Sequence, residues 1–185
     1  MATGNVVPIN RRGALDQPML RSYCRLLSQG AWCHIFPEGK VRQTWRFDPR
    51  EPKLGDFKVG VGKLIAHADS CPIVVPIYHT GMQGVIPEVV LDNPKTKRSS
   101  RPISYLPRGG NTIRMYVGRP LDFSAEIAAF RRAHPGALDQ WRTPSLEGLQ
   151  LYQDITEKVR RAVLALEYKA HSADYPYPPL ERADD

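Results

Sequence analysis

Residues 30–41 read GAWCHIFPEGKV. An apolar run stops at Pro37, and a lone carboxylate, Glu38, stands between that proline and Gly39. The run AWCHIF, residues 31–36, is short and bounded by residues that break regular structure, so it reads as a buried strand. Just upstream, Asp16 can cap a helix with Pro18 in its first turn. Met19, Leu20, Tyr23, Cys24, Leu26 and Leu27 then recur at helical spacing until Gly30 supplies a stop. Residues 5–9, NVVPI, form another β-branched run. Strand, helix and strand at these lengths make a βαβ unit, whose two strands are predicted to be parallel.

Working outward, residues 42–59 carry charges and two prolines without periodicity and read as a long loop. GVGKLIAHAD opens a second helix at Gly60. PIVVPIY, residues 72–78, lacks alternation and reads as a strand buried on both faces. The stretch 84–102 is basic and proline-containing and is read as a surface excursion. TIRMYVG, residues 112–118, alternates like a strand near a sheet edge. A short helix follows, capped by Asp122 or Ser124. From Ser145 to Ala170 runs the longest helical pattern, with Leu149, Tyr152, Ile155, Val159, Val163 and Leu166 in one stripe. The fold class expected is α/β: a mixed, largely parallel sheet flanked by helices. Residues 1–170 read as a single domain without internal repeats, and residues 171–185 as a proline-rich, disordered tail.

The 185 residues suffice for one domain with a real core. Twenty-six Lys and Arg against 19 Asp and Glu give a net charge of +7, which favours an anionic partner such as a phospholipid surface, a phosphorylated metabolite or nucleic acid. Scattered basic residues without a recognised motif make nucleic acid the weakest of these. No apolar stretch reaches the length that crosses a bilayer, and the opening residues lack a secretory apolar core. Membrane contact would then come from loop 42–57, with Trp45 and Phe47, or from the basic stretch 95–108. The three cysteines form no C-x-x-C pair, so they read as reduced core residues with no metal site.

Several chemical motifs fail on inspection. GDFKVGVGK lacks the first glycine of a phosphate loop, where Phe57 stands, and Leu64 occupies its Ser/Thr position. The third glycine of a dinucleotide fingerprint is missing as well. No G-x-S-x-G elbow is present. His34, four residues before Glu38, can share its face as an acid–base pair or pack as an ordinary strand histidine. His134 and Asp139 match H-x-x-x-x-D, but five histidines make one such match nearly expected by chance, and we assign the pair no catalytic role. FPEGKV differs from these. It leaves Glu38 at the carboxyl edge of a strand, where α/β sheets collect ligands, with Lys40, Arg42 and Arg46 next in sequence.

These residues resemble the glycerophospholipid acyltransferase superfamily, and most closely the tafazzins. Phe36, Pro37, Glu38 and Gly39 match the third family motif, and Ile73, Val74, Val75 and Pro76 the fourth. VPINRRGALDQPM is similar to the second, with Arg12, Gly13 and Gln17 on its positions. The resemblance covers roughly residues 5–120. It implies a glycerol-3-phosphate acyltransferase-like fold and acyl transfer between phospholipids and lysophospholipids, notably in cardiolipin remodelling, peripherally at a mitochondrial membrane. It implies no acyl-coenzyme A and no other cofactor. Arg12, Gln17, Phe36, Pro37, Glu38, Gly39 and Lys40 would bind the acceptor. In the family the general base is the His of an H-x-x-x-x-D motif placed ahead of the second motif. His134 and Asp139 follow it instead. The expectation is therefore an acyltransferase domain lacking its first strand–helix unit and its catalytic pair, either an O-acyltransferase left inactive or a phospholipid-binding, regulatory module.

Overall fold

The computed structural model describes residues 15–41, 43, 54–93, 96–103 and 106–172. Its elements run α1 (Pro18–Ser28), α2 (Gly60–His67), β1 (Ile77–Thr80), α3 (Met82–Val85), β2 (Glu88–Asn93), β3 (Thr96–Pro102), β4 (Arg114–Val117), α4 (Ser124–Ala133) and α5 (Leu146–His171). They divide between two compact units. The first holds residues 1–39, 57–75 and 120–160, and the second holds 40–56, 76–119 and 161–185.

The first unit is helical. Its main core joins Val61, Ile65 and Ala66 of α2 to Phe123, Ile127, Leu151, Tyr152, Ile155 and Val159. The apolar stripe expected on the long helix is what packs here, with Tyr152 and Ile155 fully buried. A second cluster joins Leu20 and Cys24 of α1 to Leu64 and Ala68. Helix α2 serves both clusters because its eight residues are apolar nearly all round, the pattern of an element enclosed by others.

Close approach makes this enclosure possible. A Cβ at Gly62 would fall inside contact distance of the Tyr152 carbonyl oxygen, and 2.8 Å from Thr156 Oγ1. Gly62 N–H instead donates to Thr156 Oγ1 at 3.0 Å. Val59, at the start of α2, offers no side-chain cap. The α5 hydroxyl thus satisfies one of the donors that a helix start leaves open. His67, at the other end of α2, meets the Tyr152 hydroxyl at 2.6 Å through Nε2.

The second unit contains two antiparallel pairs. Strand β1 pairs with β4 in the register Ile77 with Val117 and Thr80 with Arg114. Strand β2 pairs with β3 from Glu88 opposite Pro102 to Asn93 opposite Thr96, with an irregularity between Leu91 and Asn93. Gln43 ties into this unit, donating to the Ile86 carbonyl at 2.8 Å and accepting from Glu88 N–H at 3.1 Å.

These pairings correct the expected parallel sheet. Every strand pairing among the described residues is antiparallel. Residues 31–36 form no strand, and residues 72–76 make one isolated antiparallel bridge, Val74 with Leu121. The reason is physical: an apolar run becomes a strand only where a neighbouring strand takes up its backbone donors and acceptors. Trp32 and Phe36 are 79% and 71% exposed, so this run is not the buried strand expected of it. The run 5–9 lies outside the described residues. The stretch 84–102, expected as a surface excursion, carries the β2–β3 hairpin. Its Glu-Val-Val-Leu segment was the strand signal, masked by the charged residues that follow.

The helices fall closer to expectation. Helix α1 starts at Pro18, but Asp16 does not cap it. Gln17 holds the cap position without a side-chain bond, and Asp16 pairs with Arg21 at 2.9 Å and Arg142 at 3.3 Å. Asp122 accepts Ser124 N–H at 2.8 Å at the start of α4, which holds its carboxyl below the usual range. Ser145 does the same for Gly148 N–H at 3.0 Å on α5. All three cysteines are free, but only Cys24 is buried. Cys33 and Cys71 are half-buried, so the expectation of three core thiols fails for two.

Two outcomes test this packing. Gly62→Ala forces α2 away from the α5 backbone and should destabilise the protein by about 1–3 kcal/mol, lowering Tm by roughly 2–10 °C. Burial, then Lys63 and Arg131, push His67 down from 6.5 to about 4, so it is neutral in the fold. Its contribution is complete above pH 6.5 and is lost as pH falls through about 4, because the unfolded chain binds the proton first. A Tm-versus-pH series should therefore decline over that interval, and His67→Gln should flatten the decline.

Candidate functional site

The FPEG block forms a turn. Gly39 N–H donates to the Phe36 carbonyl at 3.1 Å, which places Pro37 and Glu38 at the two central positions. Pro37 supplies the fixed φ that such a turn needs at its first central residue. Gly39 follows at φ 69°, a conformation in which an L side chain is strained. Glu38, half-buried, is thereby held at the tip of a rigid bend.

Two hydrogen bonds fix that bend to the helices. Lys58 N–H donates to the Pro37 carbonyl at 2.8 Å. The Lys58 stem lies 3.7 Å from where a Cβ would stand on Gly39. Because the Lys58 carbonyl in turn accepts Val61 N–H at 3.1 Å, the turn is clamped to the start of α2. On its other side, the Tyr23 hydroxyl of α1 donates to the His34 carbonyl at 2.6 Å. Burial first, and then Cys33, raise the Tyr23 pKa, so the hydroxyl keeps the proton it donates.

Gln17 is buried at the head of the same α1. The residue that fixes this head is Lys63. Its ammonium is fully buried and donates to the carbonyls of Leu15 at 2.9 Å and Trp141 at 2.5 Å, while lying 4.2 Å from the Trp141 ring centroid. Burial lowers its pKa and nearby Asp16 opposes the shift. Two carbonyl dipoles and an aromatic face thus replace the water that a buried cation loses.

Among the residues expected to bind acceptor, Gln17, Phe36, Pro37, Glu38 and Gly39 all belong to the first unit, on or beside α1 and α2. Lys40 follows in sequence and is exposed. Arg12 lies outside the described residues. His34 packs its ring against Phe36 at 4.7 Å between centroids. His134 ends α4 with its ring 4.8 Å from Phe130, and no hydrogen bond joins it to Asp139. Among the described residues no group of His, Cys, Asp and Glu is placed to hold a metal ion.

Comparison with known proteins gives this turn its context. Residues 1–80, which include the whole of α1, the FPEG turn and α2, match the acyltransferase family. Through this segment the chain belongs to the acyltransferase family. An Arabidopsis thaliana N-acylphosphatidylethanolamine synthase is 33% identical over 125 residues, 68% of this chain and 39% of that protein. The tafazzin of Drosophila melanogaster is 30% identical over 70% of this chain and 29% of its own length. That of Saccharomyces cerevisiae is 29% identical over 87% of this chain and 39% of its own. The chain thus spans well under half the length of the curated relatives it matches. No solved structure matches it.

The acyltransferase segment was legible in its motif but not in its supports. In sequence Lys63 is only part of a failed phosphate loop, although a lone lysine inside GVGKLIA is the available signal. Tyr23 falls on a core position of the helical pattern, and its hydroxyl partner cannot be inferred from spacing. Lys58 acts through backbone N–H, which leaves no mark in sequence.

Replacing Lys63 with methionine keeps the stem and removes the donors. Two buried carbonyls then lose their partner, and the protein should lose about 1–3 kcal/mol, read as a lower denaturant midpoint at unchanged m.

Proposed function

We propose that this chain serves a phospholipid–lysophospholipid acyltransferase of the tafazzin type, which moves acyl chains during cardiolipin remodelling. It would act peripherally at a mitochondrial membrane and without a cofactor. The supporting observation is the clamped FPEG turn inside an acyltransferase-family segment. A carboxylate held at a rigid bend can accept hydrogen bonds from an acceptor's glycerol hydroxyls, and Lys40 follows it in sequence to meet a phosphate. Exposed Trp32, Ile35 and Phe36 precede the carboxylate and offer apolar contact to lipid. No helix among the described residues is long and apolar enough to cross a membrane.

The chemistry asks for positioning more than for energy. An acceptor hydroxyl attacks the donor's ester carbonyl, a new ester forms, and the old ester C–O bond breaks. The hydroxyl proton ends on the oxygen of the departing lysophospholipid. One ester is exchanged for another, so no activated acyl donor is needed. Gln17 and residues 36–40 would hold the acceptor while a general base takes its proton.

A second reading is a phospholipid-binding module without turnover. The chain's own H-x-x-x-x-D spacing favours it, since His134 stacks on Phe130 and is not bonded to Asp139. Acyl-labelled phosphatidylcholine presented with monolysocardiolipin or phosphatidylethanolamine separates the possibilities. This chain alone, with no catalytic pair assigned, is expected to form no labelled cardiolipin, whereas a full-length relative that carries both the FPEG turn and an H-x-x-x-x-D base is expected to form it. There the substitution matching Glu38→Gln should lower its formation about tenfold at unchanged Tm, the loss of roughly one charge-assisted hydrogen bond. Label on the amine of phosphatidylethanolamine would move the assignment toward the Arabidopsis relative. Vesicle binding without label transfer by either protein would establish the module, and unaltered activity of that variant would overturn the role given to the turn.

A further inference from the structure

The run that leads into the FPEG turn has an open edge. Ala31 N–H closes the end of α1 by donating to the Leu26 carbonyl at 3.0 Å, and the run proper starts at Trp32. The rings of His34 and Phe36 stack at 4.7 Å, as side chains two apart on one face of an extended chain do. Along such a chain the backbone groups of neighbouring residues project to opposite edges. The His34 carbonyl is turned toward α1, where it accepts the Tyr23 hydroxyl at 2.6 Å. Cys33 and Ile35 therefore present N–H and C=O on the other edge, and among the described residues neither makes a backbone hydrogen bond.

The chemistry of this edge invites a strand. Trp32 to Phe36 include no Lys, Arg, Asp, Glu, Pro or Gly, so the devices with which proteins ordinarily protect an exposed edge are missing from it. Trp32 and Phe36 are 79% and 71% exposed and share the face of His34. A strand added here needs backbone groups to meet Cys33 and Ile35 and apolar rings to meet Trp32 and Phe36. The run itself has both. Two copies related by a two-fold axis at His34 pair antiparallel, with Cys33 opposite Ile35 and Trp32 opposite Phe36. The Cys33–Ile35 pairs exchange their hydrogen bonds, and Trp32 and Phe36 take the closer, non-hydrogen-bonded positions, where aromatic pairs are favourable. No charged side chain enters the paired run. The axis consumes the free edge of both copies, so assembly stops at two.

We propose that residues 32–36 dock a second copy of this chain as a two-stranded antiparallel ribbon, making the protein a symmetric dimer. The Trp32 and Phe36 rings of both copies then lie on one face. Trp32 of the second copy stands opposite Phe36, next to Pro37 and Glu38, so each copy contributes a residue to the other's candidate site. The pairing does not rest on the acyl-transfer assignment, because backbone groups and aromatic register carry it.

Sedimentation velocity at about 0.15 M salt, where charge is screened beyond about 8 Å, reads the association directly. The mass should rise with concentration from the 20.9 kDa of one chain toward twice that value and no further. Trp32→Lys alters an exposed side chain and removes both aromatic pairs, so the dissociation constant of the dimer should rise about tenfold or more. Ile35→Pro removes an N–H from each hydrogen-bonded pair and should leave a monomer, with circular dichroism confirming the fold. The register has its own reporter. His34→Cys in a Cys33→Ser chain sets two thiols face to face across the axis, within disulfide reach, and mild oxidation should link the copies through residue 34. In the wild type the two Cys33 thiols stand out of register and should not link. A monomer at every concentration would overturn the proposal and leave the edge to lipid or to the chain's own residues 5–9. A dimer that survives both Trp32→Lys and Ile35→Pro, or one that links through Cys33 and not through residue 34, would overturn it equally.

Discussion

Helix α2 crosses α5 at a distance that only glycine permits, and the first unit is organised around that crossing. With no side chain at Gly62, the Tyr152 backbone and the Thr156 hydroxyl sit where a methyl group would stand. Both apolar clusters of the unit depend on α2 being that close, since one face of the helix fills the α4–α5 core and another meets α1. The same closeness serves hydrogen bonding, because Thr156 supplies the acceptor that the uncapped start of α2 lacks. A larger residue would disturb packing and capping together, which ties two ordinarily separate contributions to one position.

The FPEG turn inherits its rigidity from this arrangement. It does not sit at the tip of a strand, and its support comes from helices. The start of α2 grips Pro37 through a backbone donor, and α1 grips the preceding run through a phenol. A carboxylate on a bend fixed at both ends loses little freedom on meeting a ligand, which is the property a positioning residue requires. Glu38 therefore owes its placement to groups whose own chemistry is ordinary.

Charge within the unit is handled by substitution of partners. Lys63 keeps its ammonium away from water by means of two carbonyls and the Trp141 ring, whereas His67, one turn further along α2, is kept neutral chiefly by burial and meets the Tyr152 hydroxyl. The two solutions are linked, because the Lys63 charge is one of the causes that hold His67 neutral.

The sequence by itself determined the local features. Periodicity located α1 and α5, the glycine-led start at Gly60 and the cap residues Asp122 and Ser124 located α2 and α4, and the stripe from Leu149 to Leu166 named the core face of the longest helix. The order Phe36-Pro37-Glu38-Gly39 specified a turn and indicated the acyltransferase family, because proline φ and glycine tolerance are properties of single residues. Tertiary structure decided everything that needs a partner. Whether AWCHIF is a strand depends on a neighbouring strand to complete its hydrogen bonds, and an apolar run carries no record of that neighbour. Whether Lys63 is a phosphate ligand or a buried clamp depends on Leu15 and Trp141, the latter 78 residues away. Pairing direction, burial and the company a charge keeps are non-local quantities. Chemistry written in consecutive residues was therefore readable, and chemistry assembled across the chain was not.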